Sequence, residues 1–419
     1  MTSGNPPQLI TLREYERLDY ARLDDSAIRQ LEELTEQLGV PLFRFFREEA
    51  RAQQYVGVVK AGEYTIQILP KIGERDDQNL AYLIFLLGYA RRLRLRPTGR
   101  GTFAELGGSF LEVWIRYFAA ELNKLLRRRL THRYVEVEER TSFLRGKLLV
   151  ERELGGTGRL YGRYASRYDV FTPDHPLNRV LKYCNGLLIR QTRTPSNRTL
   201  LQENDTLLSD VTSAPVRPSD LDRIQLDRLD RDYEPVLELC RLLVENSTLN
   251  LRTGRISQFA FVFDMNRLFE EFVVEFLRRH KSQIQLGEGR GLAKVEYQRR
   301  LGRLFGEFNM DADLVLTDVT GRSLLVDTKY KVLDHKKRHG GLSQADFYQM
   351  YAYGSAGKRR YNEIVLLYPI SGLPQRTFQQ GDMRLHVRHF DPRSIYDMES
   401  GAVNEKGVLS ELSRGLATV

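Results

Sequence analysis

The chain has 419 residues, enough for two or three domains, and its 41% hydrophobic and 10% aromatic content suits buried cores and excludes a disordered chain. Lys and Arg outnumber Asp and Glu by 64 to 55, a formal +9 that favours a polyanionic partner such as nucleic acid and serves plain solubility equally well. Two cysteines, Cys184 and Cys240, are too few for a disulfide framework or a zinc site and sit in apolar helical patterns that predict buried free thiols.

The opening segment lacks a basic stretch followed by an apolar run. No uncharged stretch approaches the roughly 20 residues that cross a bilayer, so a cytoplasmic protein with no membrane association is expected. Residues 1–77 read as a small β-rich module with one helix, Asp24 to Gln37, whose Ile28, Leu31, Leu34 and Leu38 keep helical spacing. Tyr55 to Val59 and Tyr64 to Ile68 form a predicted hairpin around Lys60-Ala61-Gly62-Glu63, and Pro70 ends it. Residues 78–255 read as mainly helical. A long amphipathic helix, Phe110 to Leu130, carries Trp114, Phe118, Leu122 and Leu125 on one side. A β-like piece at Tyr134 to Glu138 follows, then a helix from Pro176. Leu207 to Asp232, with Pro215, Pro218 and many Asp, reads as a polar loop holding one short helical turn.

From 256 to 419 the pattern becomes helix (Met265 to Arg279), strand (Asp313 to Thr317), turn (Asp318 to Arg322) and strand (Leu324 to Tyr330). A helix from Ser343 to Tyr353 and a buried strand, Ile364 to Tyr368, follow. This alternation predicts a mixed sheet flanked by helices, within an α/β (α+β multidomain) class.

The chemistry-bearing segment is Asp311-Ala312-Asp313-Leu314 followed, after the turn, by Asp327-Thr328-Lys329-Tyr330-Lys331. Period-2 geometry puts Asp327 and Lys329 on one face of a strand, and a hairpin brings Asp313 opposite Asp327. Two carboxylates and an ammonium at one sheet edge suit metal-assisted phosphodiester hydrolysis, with Mg²⁺ held by carboxylate oxygens and Lys329 orienting or deprotonating the attacking water and offsetting phosphate charge. A third carboxylate is expected from the preceding helix. Its stripe of Met265, Leu268, Phe269, Phe272 and Phe276 places Glu270 on the border and Glu271 on the other flank, favouring Glu270. Gln349 and Tyr353 share a helix face at i and i+4. The expected metal ligands are therefore Glu270, Asp313 and Asp327, with Lys329 as the catalytic ammonium. The same elements also have a bland reading, a solvated turn with Asp and Lys at its ends.

Other motifs fail. No G-x-x-x-x-G-K-[ST] is present, so no P-loop nucleotide site is expected, and no H-E-x-x-H occurs among the seven His. His335 and His339 flank Lys336-Lys337-Arg338 and read as a solvated basic loop before a metal pair. Lys358-Arg359-Arg360 reads as surface or a phosphate contact.

Q-x-x-x-Y after D-x-K resembles the RecB-like members of the PD-(D/E)xK nuclease superfamily, which implies that Gln349 and Tyr353 complete the catalytic set. The upstream pieces Ile68-Leu69-Pro70-Lys71-Ile72, Leu144-Arg145-Gly146-Lys147, and Asp169 through Leu177-Asn178-Arg179 to Lys182 point further. With Met265-Asn266-Arg267-Leu268-Phe269-Glu270 and D-T-K-Y-K they resemble the McrC family, the nuclease subunit of modified-cytosine restriction complexes. Asp311-Ala312-Asp313 departs from the Arg-Pro-Asp often found there; Asp313, directly before Leu-Val-Leu, fits the ligand position better than Asp311. The resemblance implies a Mg²⁺-dependent endonuclease acting on methylated double-stranded DNA. Its upstream regions (1–77 and 78–255) would dock on a McrB-like AAA+ GTPase ring and stimulate it, and the C-terminal domain would cut. A second copy, met through the nuclease domain, is a further candidate partner. Two other readings stand beside this one: a helicase-associated RecB-like repair nuclease, and a non-catalytic regulator of an AAA+ partner.

Overall fold

The computed structural model describes residues 8–91, 93, 106–154, 163–250, 258–287, 289–305, 307–333, 336, 338–355, 361–371, 374–389, 391 and 405–417. In chain order, β1 (Gln8–Arg13), β2 (Arg17–Asp19), α1 (Asp25–Leu38), β3 (Phe43–Phe45), β4 (Glu49–Ala52), β5 (Tyr55–Ala61), β6 (Tyr64–Leu69) and α2 (Asp76–Ala90) come first. Asp24 caps α1 by accepting from Ala27 N, and Gly39 ends it at φ 63°. The predicted β5–β6 hairpin forms, with Val59 opposite Ile66, and β1 adds in parallel to β6.

Next come α3 (Phe110–Arg128), β7 (Arg133–Thr141), β8 (Lys147–Leu148), α4 (Val150–Leu154), β9 (Tyr164–Thr172), α5 (Pro176–Gln191), α6 (Pro195–Leu207), α7 (Pro218–Asp222) and α8 (Glu234–Asn246). The long helix, the β-like piece and the short turn in the polar loop all appear. Strand β9 was not read from sequence; it pairs along the whole of β7, Arg133 opposite Thr172 to Thr141 opposite Tyr164. Cys184 and Cys240 are buried free thiols.

The chain then adds β10 (Ser247–Asn250), β11 (Gln258–Asp264), α9 (Met265–Arg279), β12 (Gln285–Leu286), β13 (Arg290–Leu304), β14 (Phe308–Asp318), β15 (Ser323–Thr328), β16 (Val332–Leu333), α10 (Gln344–Gly354), β17 (Glu363–Tyr368), β18 (Ile370–Ser371), β19 (Arg376–Gln380), β20 (Met383–His389) and α11 (Glu405–Ala417). A seven-stranded mixed sheet has the order β12-β13-β14-β15-β17-β20-β19. The β14–β15 hairpin is held by Asp318, whose Oδ1 accepts from Thr320 N at 2.8 Å and Arg322 N at 3.0 Å, with Gly321 at φ 87°. Strands β15, β17 and β20 run parallel, with α10 in the crossover from β15 to β17.

Compactness divides the chain into Met1–Phe110 with Thr248–Val419, and Leu111–Ser247. These cuts fall elsewhere than the expected 1–77, 78–255 and 256–419. The physical reason is β11, which hydrogen-bonds along β5 from Gln258 opposite Ala61 to Asp264 opposite Tyr55. A five-stranded sheet, β1-β6-β5-β11-β10, thereby joins the N-terminal hairpin to the segment leading into α9. Gly57 permits the close approach: at φ 134°, a Cβ there would stand 2.1 Å from the Phe261 carbonyl oxygen. Helix α2 packs on α9 through Phe85, Tyr89 and Phe272, with Tyr89 and Phe272 ring centroids 5.1 Å apart. Among the described residues no helix is long and apolar enough to cross a membrane.

Candidate active site

The β14–β15 register puts Leu314 opposite Val326, so Asp313 and Asp327 flank that pair at the end of the hairpin. Asp313 Oδ2 accepts from Thr328 N at 2.7 Å and from the Thr328 hydroxyl at 2.9 Å. Lys329 Nζ lies 2.7 Å from Asp327 Oδ2 and donates to Gln349 Oε1 at 3.2 Å. Gln349 Nε2 in turn donates to the Tyr353 hydroxyl at 2.9 Å. One turn earlier on α10, Asp346 pairs with Lys331 at 2.9 Å, so alternate residues of D-T-K-Y-K are tied to the same helix.

Glu270 enters from α9. With Gln298, Arg300, Asp311, Ala312 and Asp313 it lines a cleft of about 560 Å³. Glu271 is engaged elsewhere, 3.2 Å from Arg91 and 3.0 Å from Arg267. Asp311 is 44% exposed and pairs with Arg300 at 3.1 Å, whereas Asp313 is held inward by Thr328. The structure thus brings together Glu270, Asp313, Asp327, Lys329, Gln349 and Tyr353. It adds three residues that sequence reasoning missed: Thr328, Asp346 and Gln298. Gln298 sits on β13 at φ 47°, a left-handed conformation inside a strand, and lines the same cleft as Glu270. Nothing in Glu296-Tyr297-Gln298-Arg299 announces it. Lys336 and His339 are described, but His335, Lys337 and Lys358-Arg359-Arg360 lie outside the described residues.

The electrostatics follow from burial of like charges. Burial, then Asp313, raises Glu270 to about 7 against the hydrogen bond from Gln298. Burial, then Asp313, also raises Asp327 to about 7 against the pull of Lys329. Asp313 is raised by burial and opposed by Thr328 and then Lys329. For Lys329 burial acts downward, but Asp327, Asp313 and Asp346 outweigh it, and the ammonium stays charged. Among the described residues no three His, Cys, Asp or Glu side chains are already gathered around one point. The donor set nevertheless suits a hard divalent cation in kind: hard carboxylate oxygens crowded together, with Asp313 Oδ1 left outside both hydrogen bonds from Thr328.

Residues 50–369 match the family described as the McrBC 5-methylcytosine restriction system component. The chain belongs to this family. A relative from Escherichia coli (strain K12), the "Type IV methyl-directed restriction enzyme EcoKMcrBC", is 24% identical over 246 residues, 54% of this chain and 67% of the relative. The fold is similar to a Thermococcus gammatolerans structure described as a refined half-complex from a tetradecameric assembly of McrB AAA+ hexamers with bound McrC. That match has 22% identity and a TM-score of 0.68, covering 97% of this chain and 100% of that one. A cryo-EM structure of the McrBC complex from the same organism matches at 24% identity and a TM-score of 0.50, over 65% of this chain and 88% of that one.

Within this McrBC family member, the upstream signatures act as clasps. In L-R-G-K, Gly146 has φ 68° and a Cβ there would meet the Arg167 carbonyl oxygen at 2.4 Å, while Arg145 lies 4.2 Å from the Tyr168 ring centroid. In P-L-N-R, buried Asn178 donates to Thr131 O at 2.9 Å and Pro173 O at 2.8 Å. Arg179 grips Asp174 at 2.7 and 3.0 Å, and its hydrogen bonds hold that carboxyl well below the usual range.

Proposed function

We propose that this McrBC-type restriction component is the endonuclease subunit of a modification-dependent complex of the 5-methylcytosine type. It cuts double-stranded DNA by Mg²⁺-dependent hydrolysis at the cleft of Glu270, Asp313, Asp327 and Lys329, and works with a McrB-like AAA+ GTPase. The observation that carries this reading is the meeting of one helix acid, two strand acids and a fixed lysine at one sheet edge.

Glu270, Asp313 and Asp327 would hold the Mg²⁺, which when bound supplies Lewis acidity toward a scissile phosphate. The remaining steps belong to the chain. Thr328 spends both donors on one oxygen of Asp313, which fixes the carboxylate while leaving its Oδ1 outside that pair. Lys329, steadied by Asp327 and Gln349, keeps its proton and presents a positive charge for the phosphate oxygens and a donor that orients water. That raised proton affinity favours orienting over deprotonating the water. Tyr353 fixes Gln349, so the ammonium is held on a helix and not on a loop.

Docking on the GTPase fits the second unit. On and beside β7 and β9, Tyr134, Phe143, Leu144, Tyr164 and Phe171 are between 46% and 74% exposed, an apolar set that the unit's own folding leaves unburied. The McrB hexamers of the Thermococcus gammatolerans assembly, which bind McrC, indicate the class of partner.

The test mixes wild type or Asp327→Ala with a McrB-type partner, GTP and Mg²⁺, on methylated and unmethylated plasmid. Wild type is expected to cut methylated DNA, and Asp327→Ala to stop cutting while still stimulating GTP hydrolysis. Equal cutting by both overturns the site; stimulation without cutting by either makes the chain a regulator only.

A further inference from the structure

The residue after Lys329 faces away from the cleft. Tyr330 is 3% exposed, and its ring centroid lies 5.8 Å from that of Phe269, the neighbour of Glu270 on α9. On its other side lies a charged pair from the N-terminal sheet. Glu14, the residue after β1, has a side chain with no exposed surface and stands 4.0 Å from Lys71 Nζ. Its Oε2 accepts from Lys71 N at 3.2 Å, and its own N–H donates to Leu69 O at 3.0 Å. The Lys71 ammonium lies 4.1 Å from the Tyr15 ring centroid and 5.4 Å from that of Tyr330. Glu14 Oε1 and the Tyr330 hydroxyl are both buried without a partner in normal hydrogen-bond geometry, and the one Lys71 ammonium reaches both residues.

A buried acid set against a lysine is a poor way to gain stability, because desolvation offsets the attraction. Burial drives Glu14 up to about 7 despite Lys71. What the arrangement does supply is a fixed index point. Tyr330 is covalently next to Lys329, packs on the residue next to Glu270, and is flanked by Glu14 and Lys71. Three segments far apart in sequence therefore meet behind the cleft.

We propose that Glu14 and Lys71 are positioning residues for DNA cleavage: acting through Tyr330, they hold the D-T-K-Y-K segment against α9, so the N-terminal sheet is part of the cutting machinery. This rests on the nuclease reading above. A displacement of about 1 Å at reacting groups costs on the order of 100-fold in rate, and loosening one of several supports is expected to cost about tenfold.

The experiment compares single-turnover cutting of methylated plasmid by wild type, Tyr330→Phe, Glu14→Ala, Glu14→Gln, the Glu14→Ala/Tyr330→Phe double variant and Asp327→Ala, each with partner, GTP and Mg²⁺. Tyr330→Phe keeps the ring on Phe269 and removes only the hydroxyl, so its fold, checked by thermal melting, persists. Expected are a roughly tenfold lower maximal rate with unchanged DNA KM and unchanged GTPase stimulation, and a double variant no worse than the poorer single one. Glu14→Gln, which keeps an acceptor for Lys71 N–H, restores most of what Glu14→Ala loses. If Tyr330→Phe cuts at the wild-type rate, loses only in KM, or adds fully to Glu14→Ala while Asp327→Ala is dead, the positioning role is overturned and the nuclease reading stands. If Asp327→Ala cuts like wild type, both fall.

Discussion

Replacing Asp327 by Asn should stabilise the protein at pH 8 while abolishing its cutting. Asp327 is 1% exposed and its pKa rises from 3.8 to about 7, chiefly through burial and then Asp313. A raised folded-state pKa means that the stability contributed by the neutral acid is complete below pH 4 and is lost as pH climbs through 7. About 3 pH units at roughly 1.4 kcal/mol each would cost about 4 kcal/mol at pH 8. Because Asp313 shares the repulsion, about half of that, ~2 kcal/mol, is assigned to Asp327. Asn mimics the protonated acid and escapes the cost, and the attraction of Lys329 is already contained in the shift. In EDTA, thermal melting should therefore place Asp327→Asn above wild type at pH 8 by about 2 °C, with the gap closing by pH 4. Adding Mg²⁺ should raise wild type by selective binding to the folded state and leave Asp327→Asn nearly unmoved. An Asn variant that melts below wild type at pH 8, or by the same offset at pH 4 and pH 8, would refute the picture of crowded carboxylates.

Glu270→Gln is expected to reduce the cutting rate at least about 100-fold, whereas Glu271→Gln, which breaks the pairs with Arg91 and Arg267, should lose only about 1 kcal/mol of stability and cut normally; rates on one plasmid substrate separate the two. Gly57→Ala drives a Cβ onto the Phe261 carbonyl oxygen and should cost about 3 kcal/mol or more, read as a lowered urea midpoint.

What could be read from sequence was local. Asp327 and Lys329 are two residues apart on a strand, Gln349 and Tyr353 four apart on a helix, and Asp313 one hairpin away, so periodicity alone brings them to one edge. The apolar stripe of α9 favours Glu270 over Glu271 by the flank that each occupies. The rest depends on partners chosen in three dimensions. Strand β11 carries no mark that it will lie along β5, some 200 residues earlier, and so the domain cuts fall where the sequence does not point. Helix α2 is buried on nearly every side, which erases the 3.6-residue period that would have announced it. Thr328 and Tyr330, the alternate residues of D-T-K-Y-K, carry no role that the sequence announces; their work shows only when Asp313 and the Glu14–Lys71 pair are in place.

Whether the acidic cleft is the cutting centre is decided by Lys329→Met in a single-turnover assay on methylated DNA with partner, GTP and saturating Mg²⁺. A loss of at least about 100-fold in cutting is expected, with DNA binding and partner GTP hydrolysis unchanged. Cutting by Lys329→Met at the wild-type rate would contradict it.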